Sequence, residues 1–153
     1  MSSKSLKDFV LRSAVVEDAA ALQDCMIAAY SVYLEKMKGI SFPPLEVDYA
    51  SEIADYPTWV AELDGVVAGG LIMTFSSGVA SIANIAVHPA AQGSGVGRIL
   101  LELAERQARD EGCSRMRLAT HTLLKQNVSL YQYFGWEVVD QDSLRTYMEK
   151  RLV

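Results

Sequence analysis

A glycine-rich segment at residues 92–98 (Q-G-S-G-V-G-R) is the part of this chain whose residue types and spacing most directly suggest chemistry. It follows an apolar run at residues 82–89 that has the composition of a strand, and it precedes an amphipathic run at residues 99–111. A turn that opens a helix presents backbone N–H groups without intrahelical partners, and the helix macrodipole favours negative charge there. The segment therefore predicts a phosphate-binding turn.

Two common phosphate-binding motifs do not describe this turn. A P-loop requires Lys-Ser or Lys-Thr after its last glycine, whereas Arg98 and Ile99 follow Gly97 here. A dinucleotide fingerprint has the spacing G-x-G-x-x-G and an acidic residue at the end of the next strand. The glycines here alternate with single residues, and the next predicted strand ends in Thr120 and His121.

The segment resembles motif A of the GNAT superfamily of acyl-CoA-dependent N-acyltransferases. In that family a strand of the type L-x-x-I-A-V-x-P leads into (R/Q)-G-x-G-(I/V/L)-(G/A), whose backbone amides bind the pyrophosphate of coenzyme A. This chain has I-A-V at residues 85–87, Pro89, and Q-G-x-G-V-G at residues 92–97. The strand, proline, turn and helix are all in register with the family pattern.

The resemblance extends over nearly the whole chain. Residues 11–19 resemble the opening strand and first helix of the family, and residues 127–136 match its C-terminal signature N-x-x-L-Y-x-x-x-G-(F/W/Y). The fold implied is α/β (α+β), with a single mixed, mostly antiparallel central sheet of about six to seven strands and about four helices. A splayed parallel pair of strands in that fold binds acyl-CoA.

The resemblance implies acetyl-CoA as co-substrate and no metal. It places the N–H of Ile85 where it polarises the thioester carbonyl. The cofactor-binding role carries over to Ile85, Ala86, Val87, Gln92, Gly93, Ser94, Gly95, Val96, Gly97, Arg98 and Asn127. Many family members have their cofactor-binding Asn where this chain has Leu124, so the role of Asn127 follows a subgroup with Asn four residues before the signature Tyr.

Tyr131 is the catalytic acid that the resemblance implies. Asn127 and Tyr131 are four residues apart in a predicted helix and therefore share one face. Acyl transfer from a thioester expels a thiolate, which a positioned phenol can protonate. The alternative is that Tyr131 is a core aromatic residue beside Tyr133 and Phe134.

His121 is the candidate general base, since its intrinsic pKa suits proton transfer near neutral pH. A structural histidine with satisfied hydrogen bonds is an equally good interpretation. His88, beside the glycine-rich turn, is the poorer candidate. No Glu lies in the middle of either predicted splayed strand to act as the carboxylate base of some family members.

Four residues are candidates for contact with the acceptor substrate. Tyr30 and Tyr33 lie one turn apart on the predicted first helix, and their alternative role is packing in the core. Tyr49 is a candidate by its location in the region that closes over the acceptor in the family. Asn84 either contacts the acceptor or is a polar residue at a strand bulge.

Hydrophobic periodicity and turn residues predict the elements that position these groups. A hairpin turn is predicted at Asp64-Gly65 and a loop around Pro43-Pro44. The predicted strands are residues 8–14, 59–63, 66–75, 79–87, 115–121, 136–140 and 143–152, and the predicted helices are residues 17–38, 47–54, 99–111 and 126–134. Residues 115–121 should run parallel to residues 79–87, because a helix crosses over between them.

Composition limits the possible functions. The chain of 153 residues, 50% hydrophobic and 22% charged, predicts one globular domain. The resemblance implies that this is a single GNAT domain over residues 1–153. Its net charge of −5 argues against nucleic acid as a partner. Cys25 and Cys113 are far apart in sequence, which predicts two reduced thiols. No His, Cys, Asp or Glu residues have the spacing of metal ligands. The absence of a signal or membrane-spanning segment predicts a cytoplasmic protein with no membrane partner.

Together these features predict an acyltransferase that transfers an acetyl group from acetyl-CoA to a primary amine of a small molecule by direct attack in a ternary complex. One alternative is a protein or peptide N-acetyltransferase, and another is a non-catalytic acyl-CoA-binding domain on the same fold. A homodimer is compatible with each. Specificity lies in the least patterned region, residues 37–56, so the sequence leaves the acceptor open.

Overall fold

The computed structural model describes residues 9–34, 47–122 and 124–152. The predicted loop at residues 40–45, Met37 and the C-terminal part of the first predicted helix lie outside the described residues. The elements in chain order are β1 (Phe9–Ser13), α1 (Ala19–Leu34), α2 (Tyr49–Asp55), β2 (Thr58–Leu63), β3 (Val66–Ser76), β4 (Val79–Val87), α3 (Val96–Asp110), β5 (Arg115–His121), α4 (Lys125–Tyr133), β6 (Glu137–Gln141) and β7 (Arg145–Arg151).

The strands form one seven-stranded sheet in the order β1-β2-β3-β4-β5-β7-β6. The pairs β1/β2, β2/β3, β5/β7 and β6/β7 are antiparallel. The pair β4/β5 is parallel, with Val79–Ser81 opposite Arg115–Arg117. The predicted fold class, a mixed, mostly antiparallel sheet with four α-helices, is confirmed.

The chain divides into two compact units, which we describe separately. The first unit is Met1–Ile72 with Asn84–Glu102, and the second is Met73–Ala83 with Leu103–Val153. The single domain expected from the sequence stays a prediction.

The first unit is built on a core between α1, α2 and the strands. Its buried members include Leu22, Cys25, Met26 and Tyr49. Leu22 and Met26 are one turn apart on α1, and their side chains lie over Gly70 of β3, where a Cβ would collide with Leu22. The spacing of apolar residues in the first helix predicts a core-facing stripe that includes Leu22, Met26 and Ala29. All three are buried, so this part of the stripe is confirmed.

Cys25 and Cys113 are both free and buried, in agreement with the prediction of reduced thiols. Burial raises the pKa of the Cys25 thiol to about 11. Cys25 therefore stays protonated and unreactive near neutral pH.

Two strands of the second unit, β5 and β7, alternate between a buried and an exposed face. Met116 and Leu118 of β5 are buried, as are Thr146 and Met148 of β7, whereas Arg115 and Arg117 are exposed. This two-residue period is typical of a strand with one face against a core. The exposed face carries ion pairs from both arginines to Glu149 of β7.

Element bounds differ from the predictions by a few residues, for local reasons. The first helix begins at Ala19 and not at residue 17, because residues 16–18 form a 3₁₀ turn in which Asp18 accepts the N–H of Val15 at 2.8 Å. The third helix begins at Val96, three residues earlier than predicted. Asp64 and Gly65 have φ of 53° and 80°, as the predicted hairpin turn requires.

The spacing of charges on α3 predicts the ion pairs Glu102–Arg106 and Glu105–Arg109 on its outer face. The second pair forms at 2.8 Å, but Glu102 pairs with Arg98 at 3.3 Å, so the first prediction is wrong. Both arginines are four residues from Glu102, so spacing alone could not choose between them.

Candidate active site

The end of β4 is held by hydrogen bonds on both sides of Pro89. The N–H of His88 donates to the carbonyl of Ala68 on β3 at 2.8 Å, and the Nδ1 of His88 accepts the N–H of Ala90 at 3.0 Å. Pro89–Ala91 form a 3₁₀ turn that directs the chain toward α3. His88 therefore has a structural role, in keeping with its ranking as the poorer candidate base.

The glycine-rich turn takes its shape from two residues in the left-handed region. Gly93 and Gly95 have φ of 81° and 96°, a conformation that L side chains rarely adopt. The Ser94 hydroxyl donates to the carbonyl of Ala91, and the Ser94 N–H donates to the same oxygen at 3.2 Å. The turn is thus closed internally before α3 begins.

The N-terminus of α3 suits an anion. The first intrahelical bond runs from the Ile99 N–H to the carbonyl of Gly95 at 3.0 Å, so helix geometry leaves the N–H groups of Val96, Gly97 and Arg98 without intrahelical acceptors. No acidic residue lies in the first turn, and Arg98 is exposed. Three N–H groups and the positive end of the macrodipole therefore meet at the start of α3.

Close packing on β3 fixes the position of this helix end. Val96 is only 1% exposed, and a Cβ placed on Gly69 would lie 2.9 Å from its side chain and 3.1 Å from the carbonyl oxygen of Ala86. Sequence reasoning missed Gly69. The available signal was a pair of glycines inside an apolar strand, which often marks a close approach of another element.

Tyr49 and Asn84, two of the predicted acceptor residues, are in contact in the first unit. The Asn84 Nδ2 donates to the Tyr49 hydroxyl oxygen at 3.3 Å. Tyr49 is the first residue of α2, whose N-cap Asp48 accepts the N–H groups of Ala50 and Ser51. Only 3% of Tyr49 is exposed.

The surroundings of Tyr49 keep its hydroxyl neutral. Burial raises the pKa of Tyr49, the neighbouring Tyr30 and Glu52 raise it further, and the hydrogen bond from Asn84 opposes them. Tyr30 is half-buried on α1. Tyr33 also lies in α1, but its side chain is outside the described groups.

In the second unit, Tyr131 is a buried residue of α4 that packs against Trp136. Their ring centroids are 6.1 Å apart. The backbone N–H of Trp136 donates to the backbone carbonyl of Tyr131 at 3.0 Å. Tyr133 is 80% exposed and stacks edge-on with Phe134. The alternative interpretation of the sequence placed Tyr131 and Tyr133 together in an aromatic core. In the structure Tyr131 is buried, whereas Tyr133 is exposed.

Lys150 of β7 holds the C-terminal end of α4. Its Nζ donates to the carbonyl of Phe134 at 2.8 Å and to Glu105 Oε2 of α3 at 3.0 Å. The half-buried Asn127 lies one turn before Tyr131 on the same helix. His121, half-buried at the end of β5, accepts the N–H of Leu124 through its backbone carbonyl at 2.9 Å.

The residues that the structure describes contain neither a membrane-spanning helix nor a metal-binding cluster. None of their helices is long and apolar enough to cross a membrane. No group of three His, Cys, Asp or Glu side chains among them could hold a metal ion.

A model of the acetyltransferase (GNAT) family matches residues 24–136 of the chain, from α1 to the start of β6. The match includes β4, the glycine-rich turn and the signature that contains Tyr131. The chain belongs to the GNAT family, and it is an acyltransferase.

Individual relatives agree with this assignment. The chain is 29% identical over 139 residues to the uncharacterized N-acetyltransferase YjgM of Escherichia coli (strain K12), covering 86% of this chain and 83% of that protein. The Paia N-acetyltransferase of Thermoplasma acidophilum, solved in complex with coenzyme A, superimposes with a TM-score of 0.83 at 21% identity over 94% of this chain and 99% of that one. The ribosomal-protein-S18-alanine N-acetyltransferase of Escherichia coli superimposes with a TM-score of 0.75 at 19% identity over 94% and 93% of the two chains.

Proposed function

We propose that this acyltransferase moves the acetyl group of acetyl-CoA to a primary amine of a small molecule. The observation that carries the proposal is the glycine-rich turn, whose two glycines of positive φ lead into the N-terminus of α3. That arrangement suits the pyrophosphate of coenzyme A. The coenzyme A in the Paia structure supports the same ligand class for this chain.

The cofactor contacts follow the family pattern. Residues 92–98 receive the pyrophosphate, and Ile85, Ala86 and Val87 of β4 run along the pantetheine arm. The Ile85 N–H donates to the thioester carbonyl oxygen, where negative charge develops during the reaction. Asn127 gives the cofactor one further hydrogen bond.

The reaction proceeds by direct attack. The lone pair of the amine forms a C–N bond to the thioester carbonyl carbon, and collapse of the tetrahedral oxyanion breaks the C–S bond. Tyr131 donates its hydroxyl proton to the departing sulfur, so coenzyme A leaves as a thiol. The attacking nitrogen, which becomes positively charged when the C–N bond forms, loses one proton to water, and water returns a proton to Tyr131. Without a proton donor, coenzyme A would leave as a thiolate, which is higher in free energy than the thiol.

The attacking amine must lose its proton before it reacts. An alkyl amine with a pKa of about 10.4 is almost wholly protonated near pH 7.4, so the neutral form costs about 4 kcal/mol. His121 or a water chain ending at it accepts this proton in the proposal. A base therefore contributes most for strongly basic acceptors.

The direct test is release of free coenzyme A thiol with acetyl-CoA and a panel of polyamines, amino sugars, amino acids and peptides. We expect release with small amines, together with an acetylated amine detected by mass spectrometry. Release only with peptides or protein N-termini would instead support a protein acetyltransferase, the activity named for the ribosomal-protein relative. Binding of acetyl-CoA without release from any acceptor would support a non-catalytic domain.

A further inference from the structure

Asn84 is a polar side chain on a strand face that otherwise packs into the core. Residues two apart on a strand share a face, and Ala86, two residues after Asn84, belongs to the core cluster of α1 and α2. The Asn84 Oδ1 is buried, and no hydrogen-bond donor among the described residues reaches it. A buried amide oxygen left in this state costs about 1–3 kcal/mol, so it calls for an explanation.

The nitrogen of the same amide already has a hydrogen-bond partner. Because Nδ2 donates to the Tyr49 hydroxyl, Oδ1 is the atom that faces away from Tyr49. An oxygen can only accept, so the complementary ligand group is an N–H or O–H donor. A primary amine supplies N–H donors.

The charge of the first unit indicates what kind of amine it would attract. Its sequence carries 12 Asp and Glu against 6 Lys and Arg, whereas the second unit carries 7 against 8. Within the described part of the first unit, the basic residues are Arg12 and Arg98, and both are ion-paired to acids. Glu52 of α2 lies near enough to Tyr49 to affect its ionisation.

We propose that Asn84 Oδ1 accepts an N–H of the acceptor amine, and that the acceptor is an aliphatic amine with a second positive charge. This inference rests on the proposed function and names its substrate class. The acidic first unit would steer such a dication and would disfavour an acceptor that carries a carboxylate. Asn84 is then a specificity-determining residue.

Three acceptors of matched length test the charge. These are 1,4-diaminobutane, 1-aminobutane and 4-aminobutanoate, which present an ammonium, a methyl group and a carboxylate at the distal end. At saturating acetyl-CoA, we expect kcat/KM to fall in that order by about tenfold at each step, because electrostatic steering raises association rates by about 10- to 1000-fold. The differences should shrink at high salt as the charges are screened.

Two substitutions test the residues. Asn84→Leu removes the amide at similar volume and should lower kcat/KM for the diamine by about 10- to 100-fold, mainly through KM, with acetyl-CoA affinity unchanged. Glu52→Gln should reduce the preference for the diamine over the monoamine. Asp64→Asn is the matched charge control, since it lies at the opposite end of β2 from α2, and Asn tolerates its positive φ.

A folding control separates loss of contact from loss of structure. Thr58→Val removes another buried polar group of the first unit, whose hydroxyl donates to the Tyr56 carbonyl at 2.9 Å. It should leave the order of the three acceptors unchanged. Thermal denaturation of Asn84→Leu should give a stability close to that of the wild type, because removal of the unsatisfied Asn84 oxygen offsets the loss of the hydrogen bond to Tyr49.

Any one of three results would overturn this inference. These are equal kcat/KM values for the three acceptors, a preference for 4-aminobutanoate, and unchanged kinetics in Asn84→Leu. Each of these outcomes still requires amine-dependent release of coenzyme A. Failure of the proposed function itself would look different, because no small amine would then release coenzyme A at all.

Discussion

The two units of this protein are built for different tasks. The first unit offers backbone N–H groups at a glycine-rich turn, together with an excess of acidic side chains, and both features act on ligands through charge. The second unit instead fixes one buried tyrosine on a short helix, held by Trp136 and Lys150. Under the proposed function, substitutions in the glycine-rich turn should change binding constants, whereas those at Tyr131 and its supports should change turnover.

The strongest test of this contrast is Tyr131→Phe, which keeps the ring but removes the hydroxyl. We expect turnover to fall by about 10²- to 10⁴-fold with acetyl-CoA affinity unchanged, because only the proton donor is lost. Stopped-flow measurement of coenzyme A release and calorimetry of acetyl-CoA would give the two quantities. Tyr133→Phe, on the exposed neighbour, is the control and should behave as wild type. Wild-type turnover in Tyr131→Phe, with chemistry rate-limiting, would reduce Tyr131 to a packing residue.

The converse test is Gly95→Val, which should weaken acetyl-CoA binding by about 100-fold because a side chain blocks the approach of phosphate to the backbone. Gly97→Val should have a similar effect, since a Cβ there meets only Val87 at 3.6 Å and the fold accommodates it. Gly78→Val carries the same backbone strain at φ 78°, in a turn with no neighbour within 4 Å. Equal acetyl-CoA affinities in Gly95→Val and Gly78→Val, measured by calorimetry, would refute the assignment of the turn.

Stability at low pH should depend on the first unit through Asp18. Hydrogen bonds from Arg12, at 2.8 Å, lower the pKa of the Asp18 carboxyl below 3.8. Its contribution is therefore complete above about pH 4–5 and is lost as the pH falls through the folded-state pKa. Asp18→Asn should lower the free energy of unfolding by about 1–3 kcal/mol at pH 7 and by less in strong acid. Chemical denaturation at several pH values would measure this, and parallel curves for the variant and the wild type would contradict it.

The smallest expected effect is that of Lys150→Met, which keeps the apolar stem and removes the ammonium group. The Phe134 carbonyl then loses its donor, so the free energy of unfolding should fall by about 1–2 kcal/mol. Turnover should fall several-fold while acetyl-CoA affinity is retained, because the α4 end that carries Tyr131 is held less firmly. Arg151→Met, at the exposed next position, is the matched control. A drop in acetyl-CoA affinity without a change in turnover would contradict the division of tasks between the units.

The sequence predicts those features that depend on neighbouring residues. The hairpin at Asp64-Gly65 and the glycine-rich turn both follow from local conformational preferences, and both are present. The start of α1 was wrong by two residues, because the side chain of Asp18 is drawn to Arg12 on β1 and a 3₁₀ turn forms. The contact between Asp18 and Arg12 is a tertiary contact, so the sequence around Asp18 does not reveal it.

The acceptor side was harder to predict for the same reason. Asn84 and Tyr49 are 35 residues apart. The sequence pattern around each residue therefore identifies it as a candidate but does not predict that the two side chains are in contact. Packing of α3 on Gly69 likewise depends on which strand the helix covers. The location of the candidate residues was predictable, but their mutual contacts required the fold.

The glycine pair on β3 has a consequence for redesign of the acceptor. Gly69 and Gly70 point to opposite faces of the strand, and each face receives a helix on bare backbone, α3 over Gly69 and α1 over Gly70. Neither helix can move closer to the strand, so the two glycines act as a fixed spacer of minimum thickness. Under the proposed function, room for a bulkier amine would have to come from shorter side chains on α1, while the N-terminus of α3 keeps its distance from the strand.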